Sequence, residues 1–318
     1  MKNLFKIALI TFVTFGIISC SNDDDNDSIP QTNSIADFVA ANKDYTSLKA
    51  ALDKAGLTAT LAGQGDFTVF APNNDAFAAF LTANGFASLD DVPTGLLTNV
   101  LLNHVISGKV VSGNLATGYV NTLAVEVSSG ANLSMYVNTS SGVKLNGMSN
   151  VTTADIMADN GVIHAVDTVI ALPTVVTFAT ADPTFATLVA ALTRPDQPDF
   201  VGVLSTPGGT SPAPFTVFAP TNDAFGALLV ELGAGDLNDI DGPTLTAALN
   251  THVIAGANVR AENLMDGVVG TLGADLIVDA TNATLTDPNE RVSKIIVVNV
   301  QASNGVVHAI DKVLLPQL

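Results

Sequence analysis

Cysteine, tryptophan and basic residues are scarce in this chain of 318 residues, which contains one Cys, no Trp and 12 Lys and Arg. A single Cys excludes a disulfide bond within the chain. The 30 Asp and Glu residues leave a formal net charge of −18, so the chain repels nucleic acid and we expect no nucleic-acid partner. The lack of Trp leaves few aromatic side chains on which a sugar ring could stack.

Sequence motifs of common catalytic sites are also missing. The chain has no GxSxG motif, no phosphate-binding P-loop and no HExxH motif. Carboxylates are numerous but scattered, so no glycosidase pair can be named. The sequence therefore predicts a protein that is not an enzyme, with no catalytic residues, no cofactor and no metal.

The N-terminus has the pattern of a secretion signal. MKNLFK supplies positive charge, and the apolar run IALITFVTFGII that follows is too short for a comfortable membrane span. IISC then places a small residue before Cys20, which resembles the lipobox of bacterial lipoproteins. The resemblance implies a signal peptide over residues 1–19 and lipid attachment at Cys20. An ordinary signal peptide with an incidental Cys is the alternative.

Residues 20–32 form a predicted acidic tether. The stretch SNDDDNDSIPQTNS is polar, acidic and poor in apolar side chains. An acidic run directly behind a lipidated Cys resembles the surface-export signal of Bacteroidetes-type bacteria, and a solvated spacer is the alternative. We therefore expect a cell-envelope protein, lipid-anchored in the outer membrane and surface-exposed, that contacts the membrane only through its lipid.

One long pattern occurs twice in the chain. FTVFAPNNDAF at 67–77 returns as FTVFAPTNDAF at 215–225, with ten of eleven residues identical. A period near 145 residues is too long for a solenoid repeat and indicates a duplicated globular domain. Two further pairs match in the same order: NHVISG (103–108) with THVIAG (251–256), and NGVIHAVDTVIALP (160–173) with NGVVHAIDKVLLP (304–316).

The repeats predict one domain over 33–173 and a second over 174–318. No Gly/Ser-rich or Pro-rich linker separates them, so we expect the two domains to touch. The second copy carries eight extra residues within 193–214, where the density of Pro and Gly predicts a surface loop.

The repeated FTVFAP segment predicts a strand that is covered on both faces, because apolar side chains point to both of them. Pro72 ends this strand, and Asn73 or Asn74 then caps a helix that contains Phe77. Thr221 begins the same arrangement in the second copy. The pattern therefore specifies a strand–cap–helix corner rather than a reactive centre.

All four histidines lie in the repeated motifs. His104 and His252 each end a predicted helix, where an imidazole can satisfy the last carbonyl groups. A metal or acid–base site, for example His164 with Asp167, is one interpretation of the pair on the strands, His164 and His308. Zinc needs three or four converging ligands, so we favour buried, hydrogen-bonded imidazoles.

These motifs, in this order, resemble those of the fasciclin domain. The resemblance covers about residues 33–318 and rests on the two long motifs, each present twice. It implies an α+β fold in which a small β-sandwich or wedge packs with several helices, most of them in the N-terminal half of each domain.

The resemblance also implies non-catalytic adhesion or binding to matrix, a glycan or another cell-surface ligand. In animal members of the family, a Tyr-His pair is associated with integrin contact. Asn103 and Thr251 occupy the Tyr position here, so we do not assign that role to this chain. An accessory glycan-binding or capture lipoprotein of a nutrient-uptake system is the alternative function. The binding candidates are four motif residues, His104, Val105, His252 and Val253, and two tyrosines, Tyr119 and Tyr136. Each tyrosine is either a surface on which a sugar ring stacks or a packed strand residue.

Overall fold

The computed structural model describes residues 33–317, which belong to one compact unit. The predicted signal peptide 1–19, the lipidation site Cys20 and the tether 20–32 lie outside the described residues. Within the described chain, two domains of the same topology follow one another, and in each of them most helices precede most strands.

The first domain begins with a helical segment that surrounds one strand and continues as a series of strands. Its helices are α1 (Ile35–Ala41), α2 (Thr46–Ala55), α3 (Thr58–Ala62), α4 (Asn74–Ala83) and α5 (Thr94–Leu102). Its strands are β1 (Phe67–Pro72), β2 (Val105–Ser107), β3 (Gly118–Val125), β4 (Asn132–Asn138), β5 (Lys144–Leu145), β6 (Ser149–Ala158) and β7 (Gly161–Val166).

The second domain repeats this order of elements. Its helices are α6 (Val175–Ala181), α7 (Ala186–Leu192), α8 (Phe200–Leu204), α9 (Asn222–Leu232) and α10 (Gly242–Thr251). Its strands are β8 (Phe215–Pro220), β9 (Val253–Ala255), β10 (Gly267–Val269), β11 (Leu276–Asp279), β12 (Thr284–Thr286), β13 (Val292–Ala302) and β14 (Gly305–Ile310).

Each domain has one seven-stranded mixed sheet, ordered β2-β1-β7-β6-β5-β4-β3 in the first and β10-β11-β12-β13-β14-β8-β9 in the second. The two long motifs are neighbours in these sheets. Strand β1 runs parallel to β7 with Phe70 beside His164, and β8 runs parallel to β14 with Phe218 beside His308. The repeated motifs therefore pair with each other at the centre of each domain.

The central strand β1 is covered on both faces, as its sequence predicted. Val69 and Ala71 lie in the core beneath the helices, whereas Phe70 packs with Met135 and Leu145 from the far half of the sheet. The far half can reach Phe70 because bulges interrupt the β6–β7 pairing and bend the sheet over on itself. This confirms the α+β fold with a sandwich-like wedge and a helical layer.

The residues after β1 join the strand to the helices on both sides of it. Asn73 caps α4 by accepting a backbone N–H of its first turn at 2.8 Å. Its neighbour Asn74 holds α2 instead, because its Oδ1 accepts the backbone N–H of Ser47 at 2.9 Å. In the second domain Thr221 is the cap and Asn222 holds α7 in the same way. The cap-and-helix prediction is confirmed in both copies.

Among residues 33–317, no single helix has both the length and the apolar character needed to cross a membrane. One sharply bent pair, Val175–Ala181 with Pro183–Leu192, passes the same test when its two helices are taken together.

Candidate functional site

His104 is a buried residue two positions after the end of α5, and both of its ring nitrogens form hydrogen bonds within the fold. Its Nε2 accepts the backbone N–H of Ile170 at 2.8 Å, and its Nδ1 lies 2.8 Å from the carbonyl oxygen of Val100. Because an amide N–H can only donate, the proton of the neutral ring must sit on Nδ1 and point to Val100. Burial lowers the pKa of His104 to about 4. The ring is therefore a neutral clamp within the fold.

His252 repeats the same clamp in the second domain. Its Nε2 accepts the backbone N–H of Leu314 at 2.9 Å, and its Nδ1–H donates to the carbonyl oxygen of Ala248 at 2.7 Å. Burial again lowers the pKa to about 4. The candidate neighbours Val105 and Val253 begin β2 and β9 and are buried as well. These four candidate residues present no surface to a ligand.

His164 lies under the face of Phe70, with ring centroids 5.5 Å apart. Its Nε2–H donates to the carbonyl oxygen of Val110 at 3.0 Å, and its Nδ1 accepts the backbone N–H of Asp155 at 3.2 Å. The carboxylate of Asp167 is engaged elsewhere, with the backbone N–H and side-chain amide of Asn150. The two residues of the alternative acid–base pair thus serve separate structural contacts.

His308 forms the matching pair with Phe218 in the second domain, with ring centroids 5.8 Å apart. Its Nε2–H donates to Val259 at 2.9 Å, and burial lowers its pKa. Within residues 33–317, no three side chains of His, Cys, Asp or Glu come together as a possible metal site. The histidines of both domains are structural elements of the fold.

Asn160, the first residue of the NGV motif, has a structural role that the sequence analysis did not reveal. Asn160 lies in the turn between β6 and β7, and its buried side chain holds distant backbone groups. Its Oδ1 accepts the backbone N–H of Ile35 at 2.9 Å, and its amide donates to Leu61 and Gly63, both at 2.8 Å. The side chain thereby ties the hairpin to α1 and α3. Its recurrence as Asn304 was the one sequence signal that could have found it.

The next residue, Gly161, is required by close packing against β1. A Cβ at this position would lie 2.2 Å from the carbonyl oxygen of Phe67, and Gly305 has the same distance to Phe215. Any larger residue would therefore push the two central strands apart.

Asn103 and Thr251, at the Tyr position of the family pattern, are both buried and hydrogen-bonded. The amide of Asn103 donates to the carbonyl oxygens of Ile170 and Ala171 at 3.2 and 3.1 Å. The hydroxyl of Thr251 donates to the carbonyl oxygen of Ala247 at 2.9 Å. Both positions in this chain are part of the interior.

Tyr119 and Tyr136 lie at the contact between the two domains. They oppose each other across β3 and β4 with ring centroids 5.1 Å apart, and Tyr119 meets the edge of Phe178 on α6 at 5.6 Å. The Tyr119 hydroxyl donates to the carboxylate of Asp182 at 3.0 Å. Tyr136 is only 4% exposed and belongs to the hydrophobic core of the second domain. Both tyrosines are packed strand residues, and neither ring is free to serve as a sugar platform.

The contact between the domains continues from α6 onto β13. Gln301 is fully buried, and its backbone N–H donates to the hydroxyl of Ser134 on β4 at 3.0 Å. The two domains therefore touch, as the absence of a linker predicted.

An open cleft of about 610 Å³ lies beside this contact. One wall is the loop over 205–214, which belongs to the expanded segment 193–214 of the second domain. The other comes from the first domain and includes Leu96, Val125 and the 88% exposed Val127. To this cleft both domains contribute surface that a ligand can reach.

The only carboxylate in the lining of this cleft is already satisfied. Burial alone would raise the pKa of Glu126, but hydrogen bonds from the hydroxyl and backbone N–H groups of Ser129 and Ser128 outweigh it and hold that pKa below its usual range. The carboxylate is thereby occupied by hydrogen bonds within its own turn, from Ser128 and Ser129. The cleft presents apolar side chains and uncharged polar groups to a ligand.

A model of the family described as the fasciclin domain matches residues 43–173 and 183–316. The chain belongs to the fasciclin family. Protein sll1483 of Synechocystis sp. is 38% identical over 147 residues, which cover 46% of this chain and 74% of that protein. Cell surface glycolipoprotein MPB83 of Mycobacterium bovis is 35% identical over 145 residues, which cover 45% of this chain and 60% of that protein.

A longer alignment joins both fasciclin domains to an animal protein. Human periostin is 29% identical over 276 residues, which cover 83% of this chain but only 30% of periostin. The chain thus spans less than a third of that relative. Among solved structures, a FAS1 domain pair from the insect cell adhesion molecule fasciclin I covers 84% of this chain and 92% of its own, with a TM-score of 0.47 and 18% identity.

Proposed function

We propose that this fasciclin-family protein is a non-catalytic adhesion or binding protein of the bacterial cell surface, anchored through lipid on Cys20. The observation that carries the proposal is the way its motif residues are used. The imidazoles of His104, His164, His252 and His308 are buried and hydrogen-bonded within their domains. The motifs therefore build a scaffold, and binding falls to the surface between the domains.

Family membership supports the same class of function. Fasciclin-family proteins are adhesion proteins rather than enzymes, and MPB83 is described as a cell surface glycolipoprotein. The lipobox-like IISC sequence before Cys20 fits a lipoprotein of this kind.

We place the ligand in the cleft between the domains. Its apolar and uncharged lining suits a neutral partner, such as an uncharged segment of a matrix protein or a neutral glycan on another cell. The walls come from both domains, so a single domain would present only half of the site. Loops held by rigid elements commonly carry recognition, which fits the expanded loop of the second domain.

The first test is a binding screen of the chain from Ser21 onward on glycan and matrix-protein arrays. The Val127→Asp variant places a charge in the cleft, and we expect it to weaken capture of any ligand found by at least about tenfold, the effect of 1.4 kcal/mol. Val230→Asp is the matched control, because Val230 is 83% exposed on α9 outside the cleft lining. Equal loss in both variants would contradict the assignment of the cleft.

The second test addresses the anchor. Cys20→Ala should move the protein out of the membrane fraction, and protease added to intact cells should cleave the wild-type protein. If the variant fractionates with membranes as the wild type does, the lipid anchor is wrong. A wild-type protein protected in intact cells but cleaved in lysed ones would place it inside the outer membrane.

A further inference from the structure

Both domains carry the same docking surface, but only the first one is covered. Tyr119 and Tyr136 oppose each other across β3 and β4, and Val268 and Ile277 oppose each other across β10 and β11. A glycine directly precedes Tyr119 on β3 and Val268 on β10, which supports this alignment of the two domains. Gly118 and Gly267 both have positive φ, at 145° and 127°. Val268 and Ile277 are therefore the counterparts of the two tyrosines that hold α6.

The counterpart surface in the second domain is apolar and open to solvent. Val268 is 72% exposed, Ile277 is 55% exposed and Val292 is 50% exposed. They lie side by side in register across four strands, with Thr286 between Ile277 and Val292. Side-by-side apolar side chains of this kind are typical of a surface that binds a partner. We call Val268, Ile277 and Val292 the open face.

The partner for such a surface is visible within the chain itself. The first domain's tyrosines receive Phe178 from α6, and the neighbouring contact comes from Gln301 on β13. The counterparts of these two residues in the first domain are Phe38 on α1 and Met157 on β6. Phe38 is the fourth residue of α1 as Phe178 is of α6. Met157 pairs with Val162 in the register that joins Gln301 to Val306.

These counterparts in the first domain are also accessible and apolar. Phe38 is partly exposed beside Tyr45 and Met157 is 57% exposed, whereas Phe178 and Gln301, which take part in the contact between the domains, are both fully buried. We call the surface formed by Phe38 on α1 and Met157 on β6 the free helix end. The chain thus has an unoccupied receiving surface on one domain and an unoccupied inserting surface on the other.

We propose that copies of this protein associate head to tail. The open face of one copy receives the free helix end of the next, which repeats between molecules the packing that joins the two domains within one molecule. Because the two surfaces differ, the contact is heterologous and produces open chains or rings rather than a two-fold dimer.

The hydrogen bond between Tyr119 and Asp182 has no charged counterpart at the two surfaces. Within the chain, the Tyr119 hydroxyl donates to the buried carboxylate of Asp182. Between copies, Val268 takes the place of Tyr119 and Asn42 takes the place of Asp182. The hydroxyl donor and the carboxylate acceptor are therefore both absent. No unpaired charge is buried at that point, which would be costly. The contact rests on apolar packing.

The acidic charge of the chain opposes this association. Copies with a formal net charge of −18 repel each other at low ionic strength, and the repulsion is screened as salt is added. We therefore expect weak association that becomes stronger with salt, which separates it from association driven by ion pairs.

Sedimentation velocity of the chain from Ser21 onward tests the proposal over about 1 µM to 1 mM protein, the range of weak interfaces. We expect the average mass to rise with concentration and to rise further with added salt. Ile277→Asp disables the open face and Met157→Asp disables the free helix end, and either change should lower the association constant by at least about tenfold. Both side chains are exposed, so the folded domains should tolerate them.

The decisive measurement mixes the two disabled variants. The Ile277→Asp copy keeps its free helix end and the Met157→Asp copy keeps its open face, so the mixture should form dimers and nothing larger. Val230→Asp, exposed on α9, is the control and should associate as the wild type does. Circular dichroism of every variant establishes that it is folded.

Four results would overturn the proposal. They are a wild-type chain that stays monomeric over the whole range, a variant mixture that stays monomeric, equal weakening by Val230→Asp, and loss of association in Ile277→Asp but not in Met157→Asp. The last would indicate a symmetric contact between two open faces.

Discussion

The two domains differ in the cavities beside the central strand, under the helices. The cavity beside Val69 has a volume of about 30 Å³, whereas the cavity beside its counterpart Val217 has about 150 Å³. At three equivalent positions, the side chain is larger in the first domain than in the second. These are Ile35, Val39 and Ile163, which correspond to Val175, Ala179 and Val307. Two of these three positions, Ile35 and Val39, lie outside the repeated motifs, so residues between the motifs help to set the packing of the helical layer.

The outer faces of the two sheets differ in the opposite sense. The first domain has Tyr119 and Tyr136, which are covered by α6, and the second has Val268 and Ile277, which are exposed. The counterpart surfaces therefore differ in what covers them, which is α6 in the first domain and solvent in the second. Four predictions follow this comparison, from the largest expected effect to the smallest.

The largest effect should come from removing the phenylalanine at the centre of either domain. Phe70 and Phe218 are both fully buried, so Phe70→Ala or Phe218→Ala should each lower stability by about 3–5 kcal/mol through lost burial and a residual cavity. Calorimetry should show that each change lowers mainly the transition of its own domain. Val230→Ala on the surface should move neither. A change in Phe70 that lowered both transitions equally would mean that the domains unfold as one unit.

Acid should destabilise both domains through His104 and His252. Burial lowers the pKa of each to about 4, against 6.5 for the ordinary group, so the unfolded chain binds more protons between these values. The stabilisation is fully present above pH 6.5 and is lost as the pH falls toward 4, on the order of 3 kcal/mol per histidine. Urea unfolding across this range measures the slope.

The histidine variants provide the control for this pH dependence. His104→Gln and His252→Gln should each flatten the slope of the domain that carries the change, because glutamine does not titrate. A slope that stays the same in both variants would assign the acid sensitivity to carboxylates instead.

The contact between Tyr119 and Asp182 should contribute less than either of these. Tyr119→Phe keeps the ring packing and removes one hydrogen bond to a carboxylate, so we expect a loss of about 1.5–3 kcal/mol. A double-mutant cycle with Asp182→Asn isolates the contact, since Asp182 also caps the turn that begins at Pro183. Strictly additive effects of the two changes would show that the hydrogen bond contributes nothing to stability.

The smallest effect should come from making the second domain resemble the first. Val175→Ile together with Ala179→Val adds methylene and methyl groups beside the larger cavity and should raise the stability of the second domain by about 0.5–2 kcal/mol. Ala190→Val makes the same alanine-to-valine change at an exposed position of α7 and should not stabilise the domain. Equal stabilisation by the control would show that cavity filling is not the cause.

Much of each domain could be predicted because its signals are local. FTVFAP has apolar side chains on both faces of a strand, Asn73 or Thr221 can cap the helix within three residues, and His104 can reach the carbonyl four residues before it. The repetition of these segments in the same order predicted two domains, and the absence of a linker predicted that they touch. The binding candidates were less well predicted, since His104, Val105, His252 and Val253 share the motif but lie inside the fold.

The amino-acid sequence by itself determined the duplicated domain, through its repeated motifs, and the strand–cap–helix corner, because the corner depends on neighbours within one strand or one helical turn. Only the tertiary structure decided which distant groups meet. Asn160 bonds Ile35 from 125 positions away, and Tyr119 bonds Asp182 from 63 positions away. Whether a tyrosine on a strand is a ligand platform or a domain contact depends on what the chain brings against it, and periodicity carries no information about that partner.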